Sequence, residues 1–506
     1  MLAVSGETSV ARPAISWPAV LAVGVFTLTL WAQGNVMVGV FYDDGIYVTA
    51  AKALAEGMGY HNIHLPGAPP IVHYPPLYPL MLSLLWRMWP SFPANVALFA
   101  LFDAAALGLA AWVMALHLVP RLRQPEWLTV VMLGAGFACF PLLALIGVRL
   151  SEPLFLLLFA AAVAVADREA PRVVDGGLAG LLAGLCIEVK SVGICVLAGI
   201  LLVLWLRGRR SASIAAAAAG VVVVAPWLAW LWLHVGKVDP RLANYTTYLS
   251  EAHQAGLTAV FGGFKGRALW PIPGIIVPPW ATRWVRYPAS AVVLAAFVWG
   301  VGRATRRAPA LVMSLALYFL VVSLWPFPPY RFVWIVFPWV LVLMASGCLD
   351  AWRRGLWGRA LVAVVIVSAA LGLLPREALS LWQRRFLINN EGISRSFGAL
   401  APSIAAELPK DAVVASEDEA LIFLYTGRRT FPSILFHWSG MGTDEFTLAQ
   451  TLPLWCETGV THLAVTAKAD PTRKFVEQLQ ARSDTVLTRL FQLTDGPGLY
   501  RFRCPL

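Results

Sequence analysis

Charge is what this sequence has least of. Only 13% of its 506 residues are Asp, Glu, Lys or Arg, while 59% are hydrophobic. A soluble globular domain carries about a quarter charged residues, so one large water-soluble core is excluded. Cysteine is scarce too. The six cysteines show no CxxC and no metal-ligand spacing. Cys139, Cys186, Cys195 and Cys348 fall in apolar runs and read as small core residues, whereas Cys456 and Cys504 lie in the tail as candidates for a disulfide in an oxidising compartment. Nucleic-acid-binding motifs are missing despite a net charge of +11. The arginines sit in short loops between apolar runs, where they carry orientation information rather than a nucleic-acid face. The N-terminus lacks a signal-peptide pattern: the apolar run from Ile15 to Val40 is too long, and no small-residue cleavage site follows it. It reads as a retained first helix. No internal repeat is evident.

What is present is a series of runs long enough to cross a bilayer, which takes about 20 apolar residues as helix. The expected spans are 15–40, 94–119, 127–148, 151–167, 174–189, 191–206, 212–235, 286–302, 309–325, 331–349 and 357–374, about eleven in all. Arginine clusters at 121–123, 168–172, 207–210, 303–307 and 353–359 all fall on one side if the N-terminus is cytoplasmic. Three larger pieces then lie outside: a first loop 41–93, a Gly-, Pro- and Trp-containing loop 236–285, and the tail. The chain is thus expected to be an α-helical polytopic membrane protein, with a transmembrane domain over 1–375 and a small non-cytoplasmic α/β domain over 376–506. Within the tail, 412–416, 462–466, 485–493 and 499–503 read as strands, and 419–425 and 472–482 as helices. In the first loop, Leu77–Trp89 between Pro76 and Pro90 is helical but too short to span.

Ionisable residues at membrane depth are costly and usually functional. The topology gathers Asp43, Asp44, Arg149, Glu152, Glu188, Lys190 and Arg331 at the outer boundary. Neighbouring carboxylates on a helix point about 100° apart, so one of Asp43 and Asp44 can meet a reacting hydroxyl while the other orients it or holds a cation. Helix N-capping explains only one of them. Tyr47 follows on the same face. Tyr74-Pro-Pro-Leu-Tyr-Pro79 is a rigid aromatic turn, either an interfacial belt or the wall of a lipid groove. His61 and His64 are weak metal candidates beside Asp43 and Asp44. Acids suited to a hydroxyl and bases suited to a phosphate fit sugar transfer from a lipid phosphate: a carboxylate removes the hydroxyl proton, and Lys, Arg or a divalent metal (Mg or Mn) stabilises the departing phosphate.

These residues resemble a family. Phe41-Tyr-Asp-Asp-Gly-Ile-Tyr47, the Tyr74–Pro79 segment, Arg149-Leu-Ser-Glu-Pro-Leu-Phe155 and Pro329-Tyr-Arg-Phe332 are similar to motifs of the GT-C-type, polyprenyl-phosphate-sugar-dependent glycosyltransferases. That class includes protein O-mannosyltransferases and the lipid A aminoarabinose transferase. The likeness covers about residues 15–375 and, more loosely, the tail. It implies a GT-C-like membrane fold and an inverting transfer to a hydroxyl-bearing acceptor (lipid, polysaccharide or protein) at the non-cytoplasmic face. It implies Asp44 or Asp43 as the base, and Lys190 and Arg331 on the phosphate. Arg149, Glu152, Tyr47, Tyr74 and Tyr330 join them as candidate substrate contacts. Lys190 stands where many members carry Arg. Metal use varies within the class, so no cofactor is fixed. The implied location is a bacterial inner membrane, with the tail periplasmic or extracellular. The competing expectation is a transporter or lipid-linked-sugar flippase, which would place polar groups near the midplane and show repeat symmetry.

Overall fold

The computed structural model describes residues 16–505, apart from 248–249, 251–252, 254–267, 325–328, 440–441, 467–469, 483–484 and 493–495. Helices dominate up to residue 407. In chain order they are α1 (Trp17–Ala32), α2 (Asp43–Ala55), α3 (Leu77–Met88), α4 (Val96–Leu118), α5 (Glu126–Phe137), α6 (Phe140–Ile146), α7 (Glu152–Ala166), α8 (Val173–Val189), α9 (Ile194–Leu206), α10 (Arg210–His234), α11 (Pro271–Ile276), α12 (Arg283–Ala304), α13 (Pro309–Leu324), α14 (Tyr330–Trp352), α15 (Leu356–Ser368), α16 (Leu374–Gln383) and α17 (Ile388–Glu407).

Each expected span falls on helix, but the count of eleven is not what length supports. Among the described residues, five helical stretches are long and apolar enough to cross a membrane, or six if the bent pair α5–α6 is one span: Val96–Leu118, Arg210–Lys237, Arg283–Ala304, Tyr330–Trp352 and Leu356–Gln383 are the five. The run expected as one span over 127–148 is α5 and α6, bent by 59°. Pro141, at the start of α6, fits the N-terminal turn of a new helix better than the interior of an old one. Trp17–Ala32, Glu152–Ala166, Ser191–Leu206 and Pro309–Leu324 are apolar but shorter. Their outward faces are oily: Trp31, Leu109, Leu206, Val222 and Trp357 are all exposed, as expected of side chains that meet lipid rather than water.

Small residues let the helices approach. Gly176, Gly180 and Gly184 of α8 lie along α10, where a Cβ at Gly180 would sit 2.0 Å from the Ala216 carbonyl oxygen. The four-residue spacing puts them on one stripe, the small-xxx-small packing typical of lipid-embedded helices. Gly300 of α12 meets α14 in the same way, with 1.7 Å between such a Cβ and the Leu343 oxygen.

The C-terminal part carries a five-stranded sheet, β1 (Val413–Ser416), β2 (Arg429–Pro432), β5 (His462–Val465), β6 (Leu487–Gln492) and β7 (Gly498–Phe502), in the order β2-β1-β5-β7-β6, plus a hairpin of β3 (Phe436–Ser439) and β4 (Gly442–Glu445). Strand β1 is parallel to β2 and β5, and β7 is antiparallel to β5 and β6. Helices α18 (Glu419–Thr426), α19 (Leu448–Glu457) and α20 (Thr472–Arg482) complete it. The expected strands and helices are present; β2, the hairpin, α17 and α19 escaped the sequence reading. Cys456 and Cys504 form a disulfide. This part is tied to the first loop and to the segment that leads into it: Thr430 N–H donates to the His64 carbonyl at 2.8 Å, the Tyr425 hydroxyl accepts from Val38 N–H at 3.1 Å, and Ser394 Oγ accepts from Met37 N–H at 2.9 Å.

Candidate functional site

Four helix ends meet at one end of the bundle. Asp43 opens α2, Glu152 opens α7, Lys190 follows the last residue of α8, and Arg331 lies in the first turn of α14. Their side chains form one continuous chain of charges. Lys190 Nζ donates to Glu152 Oε1 at 2.6 Å, and Arg331 Nε donates to the same oxygen at 2.5 Å. Arg331 Nη1 pairs with Asp43 Oδ2, and the Tyr74 hydroxyl donates to Asp43 Oδ1 at 2.7 Å. Arg331 also stacks over the Phe41 ring, 5.2 Å from its centre. Two atoms of this network are buried without a hydrogen-bond partner, Arg331 Nη2 and Glu152 Oε2. Unpaired buried polar atoms cost about 1–3 kcal/mol each, so an unused guanidinium donor marks a place where a ligand oxygen would be stabilised. Next to Lys190 lies an apolar-walled cavity of about 140 Å³, lined by Val192, Ile194, Val321, Val322 and Phe332.

The two adjacent aspartates part company. Asp44 is 1% exposed, and its carboxylate turns back to accept N–H bonds from Gly39 (2.8 Å) and Phe41 (3.0 Å). Burial pushes its pKa up to about 6, against those two hydrogen bonds, which pull it down. Asp44 closes the turn that presents Asp43; Asp43 alone reaches the cations. Between turn and helix stands Tyr42 with φ 66°. A non-glycine residue in that region costs about 1–3 kcal/mol and recurs at functional sites. The turn is held by tertiary packing: a Cβ on Gly39 would lie 2.6 Å from Leu421 Cβ, and one on Gly45 2.7 Å from Ala420 Cβ, both on α18.

Other candidates scatter. Tyr47 is buried edge-on between Tyr74 and Tyr78 and shares a hydrogen bond with Ser151 at 3.2 Å, beside the network rather than in it. Arg149 turns away to pair with Asp103 at 3.1 Å, and the Tyr78 hydroxyl donates to the same carboxylate at 3.1 Å. Asp103 was overlooked in the sequence, although a lone acid amid the apolar residues of α4 is the signal that should have found it. Glu188 is buried and leaves Oε1 unpartnered, outside the network. Tyr330 is 51% exposed, with its ring beside that of Trp334.

The metal candidates do not converge. His61 Nδ1 contacts the Met58 carbonyl, and His64 Nε2 contacts the Tyr245 hydroxyl at 2.9 Å. Asp43 and Asp44 diverge, and among the described residues no three His, Cys, Asp or Glu side chains are grouped to hold a metal ion. These residues do not fit a bound metal, and no step below runs through one. Tyr245, also missed, links His64 to Glu419, whose Oε1 accepts its hydroxyl at 3.2 Å. One tyrosine of the second loop thus joins the first loop to the tail.

The fold is similar to those of solved ArnT and AglB structures, both GT-C glycosyltransferases. No family model and no curated protein matches the sequence, so the likeness is structural. ArnT from Cupriavidus metallidurans, solved bound to undecaprenyl phosphate, aligns over 96% of this chain and 97% of its own with a TM-score of 0.56 and 14% identity; its apo form gives 0.55, also at 14% identity over the same shares of the two chains. The archaeal oligosaccharyltransferase AglB from Archaeoglobus fulgidus, in complex with an inhibitory peptide and a dolichol-phosphate, aligns over 88% of this chain and 69% of its own, with a TM-score of 0.53 and 12% identity. At identities this low the likeness shows a shared fold.

Proposed function

We propose that this chain is an inverting glycosyltransferase that moves a sugar from a polyprenyl-phosphate carrier to an acceptor hydroxyl at the non-cytoplasmic membrane face. The observation that carries it is the Asp43–Arg331–Glu152–Lys190 chain of charges, with an unused Arg331 donor, beside an apolar hollow. The lipid tail lies against that hollow, and its phosphate takes Arg331 Nη2 and Lys190 in place of part of their hold on Glu152. The acceptor hydroxyl approaches Asp43, releasing one of the two contacts that Asp43 makes to Tyr74 and Arg331. The hydroxyl oxygen then bonds to the anomeric carbon from the face opposite the phosphate. The carbon–phosphate oxygen bond breaks, its electron pair leaves on the polyprenyl phosphate, and the hydroxyl proton passes to Asp43. Arg331 and Lys190 stabilise the charge that builds on the leaving oxygens. Glu152 positions both cations, and Asp44 positions Asp43 through the 39–42 turn.

The lipid phosphates bound in the two structural neighbours support this reading. So does the Cys456–Cys504 disulfide, which fits a tail of residues 376–506 on an oxidising, periplasmic side, as in a bacterial inner membrane. Residues 1–375 then form the catalytic membrane domain. Purified protein incubated with a panel of polyprenyl-phosphate sugars and a membrane extract that supplies acceptor hydroxyls should consume one of them, release polyprenyl phosphate and leave the sugar on an acceptor. Consumption of none of them, or equal consumption by Asp43→Asn, would overturn the assignment.

A further inference from the structure

A second cavity, larger than the hollow beside Lys190, is lined by the 40–42 turn. It measures about 590 Å³, within the usual range of about 300–1,000 Å³ for small-molecule sites. Its walls come from Val40, Phe41 and Tyr42 of the turn and from the C-terminal ends of β1 and β5. After β1 the chain moves outward to β2, and after β5 it moves the other way to β6 and β7. The cavity therefore sits where the connections diverge, the crevice in which open α/β sheets bind ligands.

Its chemistry is one-sided. Glu417, Asp418, Glu419, Glu445 and Asp470 line it, and no Lys, Arg or His does among the described residues. Three of the acids have partners: Glu445 pairs with Lys474, Asp470 accepts the N–H groups of Thr466 and Thr472 at 2.7 and 2.8 Å, and Asp418 Oδ2 accepts the Thr466 hydroxyl. Glu419 is only half satisfied. It is 1% exposed, Tyr245 satisfies only its Oε1, and its Oε2 is buried without a partner. Burial, with Asp470 and Asp44 nearby, pushes Asp418 up to about 7, and Glu419 is driven well up for the same first reason. Such a group of acids accepts a positive charge far more readily than another negative one. A metal ion is the poorer candidate, because no three of these side chains converge. Ile393, Ile434 and Phe436 supply apolar wall for a carbon skeleton.

We propose that this cavity binds a protonated primary amine carried by the acceptor, holding it at Asp418 and Glu419 so that a hydroxyl of the same molecule reaches Asp43. The ammonium source is an amino sugar or a lysyl side chain. The acceptor role rests on the transferase reading above; the binding itself does not.

Titration calorimetry of the full-length protein in detergent, without donor, tests this. The probes are a fully deacetylated glucosamine disaccharide, its N-acetylated counterpart, a lysyl-serine dipeptide and magnesium chloride. At least one amine probe should bind, and which one binds identifies the source. The acetylated disaccharide should bind at least about tenfold more weakly than the free amine, as should the amine to Glu419→Gln or Asp418→Asn, a difference of about 1.4 kcal/mol. Glu417→Gln, at an exposed position of the rim, should weaken binding in the same direction and guards against misfolding of the buried variants. Equal binding of the acetylated probe, unchanged binding in all three variants, or binding of magnesium alone would overturn the proposal. Lys468 lies outside the described residues; amine binding that appears only in Lys468→Ala would mean the chain's own lysine fills the cavity, and would also overturn it. No amine binding together with intact donor consumption defeats this inference alone. Amine binding by a protein that consumes none of the donors defeats the transferase reading, and the acceptor role with it.

Discussion

The two ends of the helix bundle both bury ions, yet they bury them differently. At the end away from Asp43, Asp167 at the foot of α7 is fully used: Oδ1 accepts Ala310 N–H at 2.7 Å, and Oδ2 meets His117 Nε2 at 3.1 Å and Leu311 N–H at 3.3 Å. That carboxylate caps one helix and ties down another. At the Asp43 end, Arg331 and Glu152 each keep an atom in reserve, and the acid nearest them sits behind a residue with a left-handed backbone. A satisfied ion cluster specifies packing; an incompletely satisfied one leaves polar atoms free to meet a ligand.

Substitution should separate the two ends. The largest effect is expected from Asp43→Asn, which should lower transfer by about 10²–10⁴-fold with the melting midpoint in detergent nearly unchanged. Measured transfer within threefold of wild type would remove Asp43 from the chemistry. Arg331→Ala should cost about 10²–10³-fold in kcat/KM, and Arg331→Lys should recover only part, since a lysine lacks the forked donors that span Asp43 and Glu152. Full recovery by Lys would show that charge alone matters there. Asp167→Ala should do the reverse. It leaves His117 and two buried N–H groups unmatched, at about 1–3 kcal/mol of stability for each such group, while the protein that remains folded keeps its turnover; a kinetic defect without a stability defect would erase the contrast between the ends.

The smallest expected effect is on pH. Burial holds His64 down at about 3, whereas an unfolded histidine titrates near 6.5. Between those values the unfolded chain binds the extra proton, so the stability contributed by neutral His64 is present above about pH 6.5 and is lost as pH falls. Thermal midpoints recorded from pH 7.5 to 4.5 should drop less steeply in His64→Gln than in wild type. Parallel curves would mean that the loop–tail contact through Tyr245 does not respond to acid.

The helical runs were legible because lipid imposes a crude rule: long apolar stretches become helices. What hydropathy could not show is where a run breaks, as at α5 and α6, or how short a helix such as Trp17–Ala32 is once neighbours enclose it. In the tail, β1 and β5 are as short as β2, β3 and β4, four residues each, but they stand out as buried apolar runs, whereas Arg429–Pro432, Phe436–Ser439 and Gly442–Glu445 mix in polar residues with no clear period. The site was half legible. Asp43, Glu152, Lys190 and Arg331 stand out as charges where lipid should forbid them, and they do meet. Arg149 shares the same signal but goes to Asp103, and Tyr330 goes to the surface. Residue type and depth say that a partner is needed, not which partner is near.

Composition and the spacing of apolar runs by themselves determined that this is a multi-pass helical membrane chain with a mixed α/β tail, because the cost of exposing backbone to lipid leaves few other solutions. Tertiary structure alone decided that Asp43 and not Asp44 faces the cations, that four helix ends from residues 43 to 331 share one network, and that an acidic cavity opens beside them. Those outcomes depend on the direction of side chains from elements far apart in the chain, and only packing sets that direction.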